Sequence, residues 1–406
     1  MGGTLGTVVV VGASLAGLRA VETLRREGYD GRLVVVGAEP HLPYDRPPLS
    51  KELLAGEWQP EQLALRRQSY DDLDVDWRLE RRAVELDLAG REVALHDGER
   101  IAFDGLVVAT GSSPRTLPDL PPLAGVFTLR TLDDALAISE LLEARPRVVV
   151  IGAGFIGSEV AATCRSKRGL DVTVLEALPV PLVRGVGPVI GAVMGELHRD
   201  NGVDLRCGVA VAGVEGDGRV ERVRLGDGTT IDADLVVVGV GVAPETGWLE
   251  GSGLQLQNGV VCDETCLAAD GVVAAGDVAR WPNPLFGGEL MRVEHWTNAT
   301  EQGVAAARRL LAGEGPREAY APVPFVWSDQ YDVKIQVVGH VQGDDEVVVV
   351  HGTTDDRRFV ALFGRAGRLT GALGFSRPRQ LMQYRRMVAD QARFEDAVAV
   401  ARAGDG

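Results

Sequence analysis

Cysteine is scarce in this chain: Cys164, Cys207, Cys262 and Cys266 are the only four among 406 residues. None occurs before Cys164, so the N-terminal stretch offers no thiol for redox or nucleophilic chemistry. Cys262 and Cys266 are separated by three residues, but no second pair and no nearby histidine completes a zinc or iron–sulfur ligand set. No metal site is expected, and the thiols read as incidental. Long apolar runs are also missing, which argues against a membrane-spanning helix and a membrane partner. No basic region precedes the first apolar run, so no signal peptide is expected; with so little cysteine, this reads as a cytoplasmic protein. Positive charge is in deficit: 42 Lys and Arg against 58 Asp and Glu give a net charge of −16. That balance argues against a nucleic-acid binder.

What is present begins with glycine. Val8–Val11 runs into Gly12-Ala13-Ser14-Leu15-Ala16-Gly17, and Val148–Ile151 runs into Gly152-Ala153-Gly154-Phe155-Ile156-Gly157. Helix-like sequence, another strand and an acidic residue follow each turn: Glu39 after Leu33–Val36, and Glu176 after Val172–Leu175. This is the dinucleotide-binding pattern, present twice. In the second copy Gly152 allows the tight turn, Gly154 lets the backbone approach a pyrophosphate, and Gly157 permits close helix–strand packing. The phosphates would sit on free N–H groups at the helix N-terminus. The first copy departs at Ser14, which takes the middle glycine position and can donate to a phosphate. Glu39 and Glu176 fit the role of ribose acceptors, and a carboxylate there repels a 2′-phosphate.

The two halves share a plan of strand, Gly turn, helix, strand, meander, buried strand and Gly exit, which reads as an internal duplication. Residues 77–104 and the region around Val203–Ile231 read as antiparallel meanders, with turns at Ala89-Gly90, Asp97-Gly98, Asp217-Gly218 and Asp227-Gly228. Pro114–Pro122 reads as a crossing linker. Helices are expected over Arg19–Glu27, Leu132–Glu143, about Asn298–Leu311 and Pro378–Ala389, with further strands between 325 and 375. The expected division is 1–113 with 245–324, then 114–244, then an α+β domain over 325–406.

Residues 41–51, His-Leu-Pro-Tyr-Asp-Arg-Pro-Pro-Leu-Ser-Lys, set Arg46 and Lys51 among three prolines. Prolines stiffen the segment, so charged side chains can be held at low entropic cost. A plain rigid surface loop would read the same way.

Taken in order, several pieces resemble the FAD-containing, pyridine-nucleotide-dependent ferredoxin reductases of the putidaredoxin reductase, rubredoxin reductase and oxygenase-coupled type. They are Gly12–Gly17, Pro43–Lys51, Ala109-Thr110-Gly111, Gly152–Glu159, Val238–Gly241, Ala275–Ala279, Glu294-His295-Trp296 and Trp327-Ser328-Asp329-Gln330. The resemblance implies an α/β fold of two Rossmann-like, glutathione-reductase-like dinucleotide domains plus a C-terminal α+β domain. It implies that Gly12, Ser14, Leu15, Ala16, Gly17 and Glu39 hold the ADP part of FAD, and that Arg46 and Lys51 lie by the pyrophosphate and the flavin ring. Asp277, beside Gly276, would accept from the ribityl chain. Trp296 and Trp327 would wall the ring, Trp327 guarding its nicotinamide face, and Glu159 would pair with Lys51. Ala83, Thr110, Gly111, Glu294 and His295 join the cofactor-binding positions, although the family often has Asn where His295 stands. NAD would be held by Gly152, Gly154, Ile156, Gly157, Glu176, Arg184, Gly239 and Gly241, with NADH preferred over NADPH.

The implied chemistry is hydride transfer from NADH to FAD, followed by single-electron release to a small iron–sulfur ferredoxin that feeds an oxygenase such as a P450 or a ring-hydroxylating dioxygenase. Lys51, Glu159 and Trp327 would be the catalytic residues. Arg377, Arg379, Arg385 and Arg386 form a candidate ferredoxin face, and the protein is expected as a monomer or homodimer. Three other readings share the Gly turns: a disulfide reductase or thiol-dependent NADH oxidase/peroxidase, an NADH oxidase working without a thiol, and a binding protein of the apoptosis-inducing-factor kind. The first needs a cysteine near the flavin, and residues 40–60 contain none.

Overall fold

The computed structural model describes residues 5–118, 122–315 and 317–404. Part of the expected linker, 119–121, lies outside them. Seven α-helices occur among the described residues: α1 Leu15–Arg26, α2 Leu132–Leu142, α3 Phe155–Ser166, α4 Val183–Asp200, α5 Trp296–Ala312, α6 Pro378–Ala389 and α7 Phe394–Gly404. None is long and apolar enough to cross a membrane. The chain divides into two compact units, 1–45 with 63–113 and 243–324, and 46–62 with 114–242 and 325–406.

The first unit is built on a six-stranded sheet, in the order Leu267–Ala269, Val272–Ala274, Gly105–Val108, Thr7–Val11, Arg32–Val36, Val75–Arg78. All neighbours are parallel except the first pair. Alternate residues of the central strand serve opposite faces. Val8 and Val10 pack with α1 and α5, whereas Val9 and Val11 pack toward the meander Ala83–Asp87, Glu92–Leu95, Arg100–Ala102. Burial on both faces explains why the strand reads as an unbroken apolar run.

The second unit repeats this plan. Its parallel sheet runs Asp204–Cys207, Val172–Glu176, Val148–Ile151, Leu235–Val238, Val126–Thr128. Val148 and Val150 face α2 and α3, and Val149 and Ile151 face the meander over 211–232. A five-stranded antiparallel sheet follows, in the order Phe325–Gln330, Val333–Gly339, Arg368–Phe375, Arg358–Arg365, Glu346–Thr353. Ile190, Met194 and Leu197 of α4 pack on it against Ile335, Phe359 and Phe375.

The expected extents of the two meanders are corrected. Val75–Arg78 and Asp204–Cys207 are not part of the antiparallel meanders; each pairs parallel at an edge of its main sheet. Alternation marks a strand, but the connection sets its direction. Helix α4 is not among the expected elements: Gly185, Gly187, Pro188, Gly191 and Gly195 weaken its local signal. Gly187 leaves the helical region at φ 75°, ψ 172°, and the helix resumes with Pro188, where a missing N–H costs little. Residues 46–62 group with 114–242 and 325–406 in the second unit.

Candidate functional site

Each Gly turn joins the central parallel strand to a helix. At Gly152 (φ +100°) an added Cβ would lie 2.4 Å from the Gly239 carbonyl oxygen, and at Gly157 one would lie 2.1 Å from the Gly152 carbonyl oxygen. The chain's own packing therefore demands these two glycines, and Gly239 is part of the contact. Gly154 differs: a Cβ there would meet nothing closer than 4.0 Å. Its small size leaves room for an outside group. The same geometry recurs at Gly12 and Gly17, where added Cβ atoms would lie 2.0 Å from the carbonyl oxygens of Ala109 and Gly12. Ser14 and Gly154, the N-cap residues of α1 and α3, make no side-chain capping bond, and neither helix has an acidic residue in its first turn. By contrast, Thr131 and Asp134 close a capping box on α2. The first-turn N–H groups at Leu15, Ala16 and Gly17, and at Phe155, Ile156 and Gly157, thus suit an anion. The two turns fit dinucleotide phosphates. Ile156 is exposed, and so is Val240 beside Gly241 (φ +97°).

The acidic residues are held. Tyr44 donates its hydroxyl to Glu39 at 2.5 Å. Glu176 is 9% exposed; its carboxylate accepts from the backbone N–H of Ala153 at 2.7 Å and of Leu178 at 2.9 Å. It is therefore no solvated strand end, but an anion fixed to the Gly turn by two main-chain donors. Arg184 is exposed on the first turn of α4, and its carbonyl accepts from Gly343 N–H.

In the first unit, Asp277 accepts from Ser112 Oγ at 2.8 Å, and its carbonyl accepts from Arg292 at 3.1 Å. Gln302 of α5 accepts from Gly276 N–H at 2.9 Å, which fixes the Gly276–Asp277 turn at φ +77°. Thr110 donates to the Glu245 carbonyl, and Gly111 takes φ +70°. Glu294 pairs with Arg292 at 2.6 Å. His295 is the N-cap of α5 without a side-chain cap bond, and the Trp296 indole N–H donates to Asp45 at 2.7 Å. Ala83 is buried at the start of the meander.

In the second unit, Glu159 on α3 collects three donors. Ser50 Oγ lies 2.5 Å from Oε2, Lys51 Nζ 2.9 Å from Oε2, and Ser328 Oγ 2.8 Å from Oε1. Glu159, Ser50 and Ser328 are buried, and the Lys51 side chain is 13% exposed. A lone carboxylate could not be buried so deeply, and here both charge and hydrogen bonding are answered. Arg46 donates to the Arg130 carbonyl at 2.6 Å. Trp327 lies on the strand between Val326 and Ser328, so its ring faces away from the Glu159 cluster and stacks on Phe325 with centroids 6.1 Å apart.

The expected pair of Lys51 with Glu159 is brought together. Sequence reasoning did not foresee Ser50, Ser328, Ser112, Arg292 or Gln302 as holding groups. Ser50 and Ser328 lie inside segments already singled out; Ser112, Arg292 and Gln302 carry no local signal. The thiols are poor nucleophiles: burial pushes Cys164 and Cys266 up to about 12 and raises Cys262 and Cys207 as well. No group of metal-ligating residues occurs among the described residues.

Residues 6–303 match the pyridine nucleotide-disulphide oxidoreductase family, and residues 325–405 match a reductase C-terminal domain. The chain is 38% identical to rhodocoxin reductase of Rhodococcus erythropolis over 95% of this chain and 90% of that one. It is 37% identical to the ferredoxin reductase component of a chlorobenzene dioxygenase from Cupriavidus sp. (strain PS12), over 96% and 94%. Among solved structures, the reductase in a covalent putidaredoxin reductase–putidaredoxin complex superposes with a TM-score of 0.91 at 33% identity, covering 98% of this chain and 99% of that one. With its nucleotide turns, its buried Lys51–Glu159 pair and its C-terminal domain in place, the chain belongs to the pyridine nucleotide-disulphide oxidoreductase family, in the ferredoxin reductase branch that carries a reductase C-terminal domain.

Proposed function

We propose that the protein oxidises NADH through bound FAD and reduces a small iron–sulfur ferredoxin that serves an oxygenase. The balance is NADH plus two oxidised ferredoxins giving NAD⁺, one proton and two reduced ferredoxins. FAD, when bound, accepts two electrons together and yields them one at a time, and electron uptake leaves negative charge on its ring. The first Gly turn and Glu39 hold the ADP moiety, Gly276 and Asp277 the ribityl chain, and Trp296 borders the ring. The second Gly turn, Glu176 and Arg184 hold the pyridine nucleotide. Lys51 offers an ammonium to negative charge formed in the reaction, and Glu159 pairs with Lys51.

One observation carries this reading. The chain pairs two fitted dinucleotide turns with a buried Lys51–Glu159 cluster and has no thiol suited to redox chemistry. That combination disfavours the disulfide-reductase alternative. The thiol-free oxidase and the binding-protein alternatives are separated by one experiment. The purified protein should be yellow and release FAD on heating. Anaerobic NADH should bleach the flavin at a catalytic rate, and ferredoxin should restore the colour faster than air does. A colourless protein that takes up no FAD, or reoxidation by oxygen alone at full speed, would refute the assignment.

The ferredoxin face is assigned to α6. Arg379 and Arg386 are exposed, Arg385 is half-buried, and Arg386 is weakly countered by Asp390 at 3.6 Å. In a chain of net charge −16, an acidic carrier needs such a local positive patch for a productive encounter.

A further inference from the structure

Lys51 is one of three lysines in the chain; the rest of its 42 Lys and Arg residues are arginine. Lys167 and Lys334 are half exposed and pair with Glu57 and Asp329. Lys51 alone is enclosed. An ammonium is a compact charge on a flexible stem, able to swing between acceptors where a guanidinium's planar fork is committed. It has three donors. One goes to Glu159, and no other acceptor meets it among the described residues.

Glu159 is arranged differently. Besides Lys51, two hydroxyls on different segments donate to it, Ser50 to Oε2 and Ser328 to Oε1. Both are held in turn. Thr163 Oγ1 donates to the Ser50 carbonyl at 2.8 Å, and Gln330 Nε2 donates to Ser328 Oγ at 3.2 Å, which directs the Ser328 proton toward Glu159. Hydrogen bonds to an ionised acceptor are markedly stronger than neutral ones. If Lys51 turned away, the carboxylate would keep one hydroxyl on each oxygen. Without the serines, departure of Lys51 would strand a buried charge.

We propose that Ser50 and Ser328 are positioning residues that hold Glu159 and leave Lys51 free to turn its ammonium from Glu159 toward negative charge formed in the reaction. This rests on the reaction assigned above. The serines act through Glu159.

The test is acetylation of the Lys51 ε-amine by acetic anhydride, followed by mass spectrometry, with Lys167 and Lys334 as internal references. It is read on the protein with and without FAD, beside the flavin midpoint potential. In a Ser50→Ala/Ser328→Ala protein, Lys51 becomes the sole donor to Glu159. Its labelling should slow at least threefold relative to Lys167, and the midpoint potential should fall. Should the double variant fail to fold, Ser328→Ala alone should move both readouts in the same directions by smaller amounts, and Ser328→Thr should restore them. Lys51 labelling that is unchanged or faster, or an unmoved potential in a folded, FAD-loaded variant, would overturn the proposal. A wild-type protein that binds no FAD would instead refute the assigned reaction, while labelling of that same protein would still report whether the serines control Lys51.

Discussion

At the scale of single residues, a buried charge pair is central. Lys51 and Glu159 are 2.9 Å apart, with side-chain exposures of 13% and 4%. Lys51→Met removes the cation and leaves the carboxylate on two hydroxyls, so the variant should lose about 2 kcal/mol of stability. It should keep FAD yet be reduced by NADH at least tenfold more slowly, a change of about 1.4 kcal/mol or more in barrier. Stopped-flow reduction at the wild-type rate would remove Lys51 from the chemistry. Glu176 makes a second prediction. Its carboxylate opposes a 2′-phosphate, so wild-type kcat/KM should favour NADH. Glu176→Ala should shift the NADPH-to-NADH ratio of kcat/KM upward by at least tenfold. The KM for NADH should rise too, because the Ala153 and Leu178 N–H groups lose their acceptor. Equal use of both nucleotides by the wild type would refute the role.

At the scale of elements, the seam between α4 and the strands over 325–339 makes a prediction about acid. His198 is fully buried, and its Nδ1 lies 2.8 Å from the Tyr331 hydroxyl. Burial, aided by Arg199, lowers its pKa from 6.5 to about 4. The folded protein therefore holds the ring neutral where the unfolded chain would protonate it. The resulting stability, about 3 kcal/mol, is present above pH ~6.5 and is lost as pH falls toward 4. His198→Gln should flatten that part of a melting-temperature profile. A profile as steep as the wild type's would show that other groups govern the acid limb.

The same scale shows what could be read in advance. Both Gly turns, the strands feeding them, the buried exit strands and helices α1, α2, α3, α5 and α6 were legible, because glycine spacing and apolar periodicity are local signals. The Lys51–Glu159 pair came from resemblance rather than from local pattern. Helix α4 was hidden by its glycines and Pro188, whose positions make sense only with the kink at Gly187 and the packing of Gly343 against it. Ser50 and Ser328 were hidden because a serine becomes a carboxylate's partner only when distant segments meet. The parallel pairing of Val75–Arg78 depends on the path of the preceding loop, which alternation does not encode.

At the scale of the whole molecule, the claim is electron transfer from a nucleotide to a protein carrier. Reversing charge at Arg379 and Arg385 should raise KM for ferredoxin about tenfold at low salt and flatten its salt dependence, since surface charge acts mainly on encounter. Ferricyanide reduction should stay unchanged, because that acceptor needs no docking. If ferredoxin kinetics are untouched, the docking face lies elsewhere. The most direct test of the central claim is the anaerobic stoichiometry of NADH consumed to ferredoxin reduced, followed spectrally with catalytic amounts of the purified protein. Two ferredoxins should be reduced for each NADH oxidised, at a rate that saturates with ferredoxin and survives replacement of all four cysteines in a folded, FAD-loaded variant. NADH oxidation that ignores ferredoxin and proceeds only with oxygen, or transfer that stops when the cysteines are removed from such a variant, would contradict it.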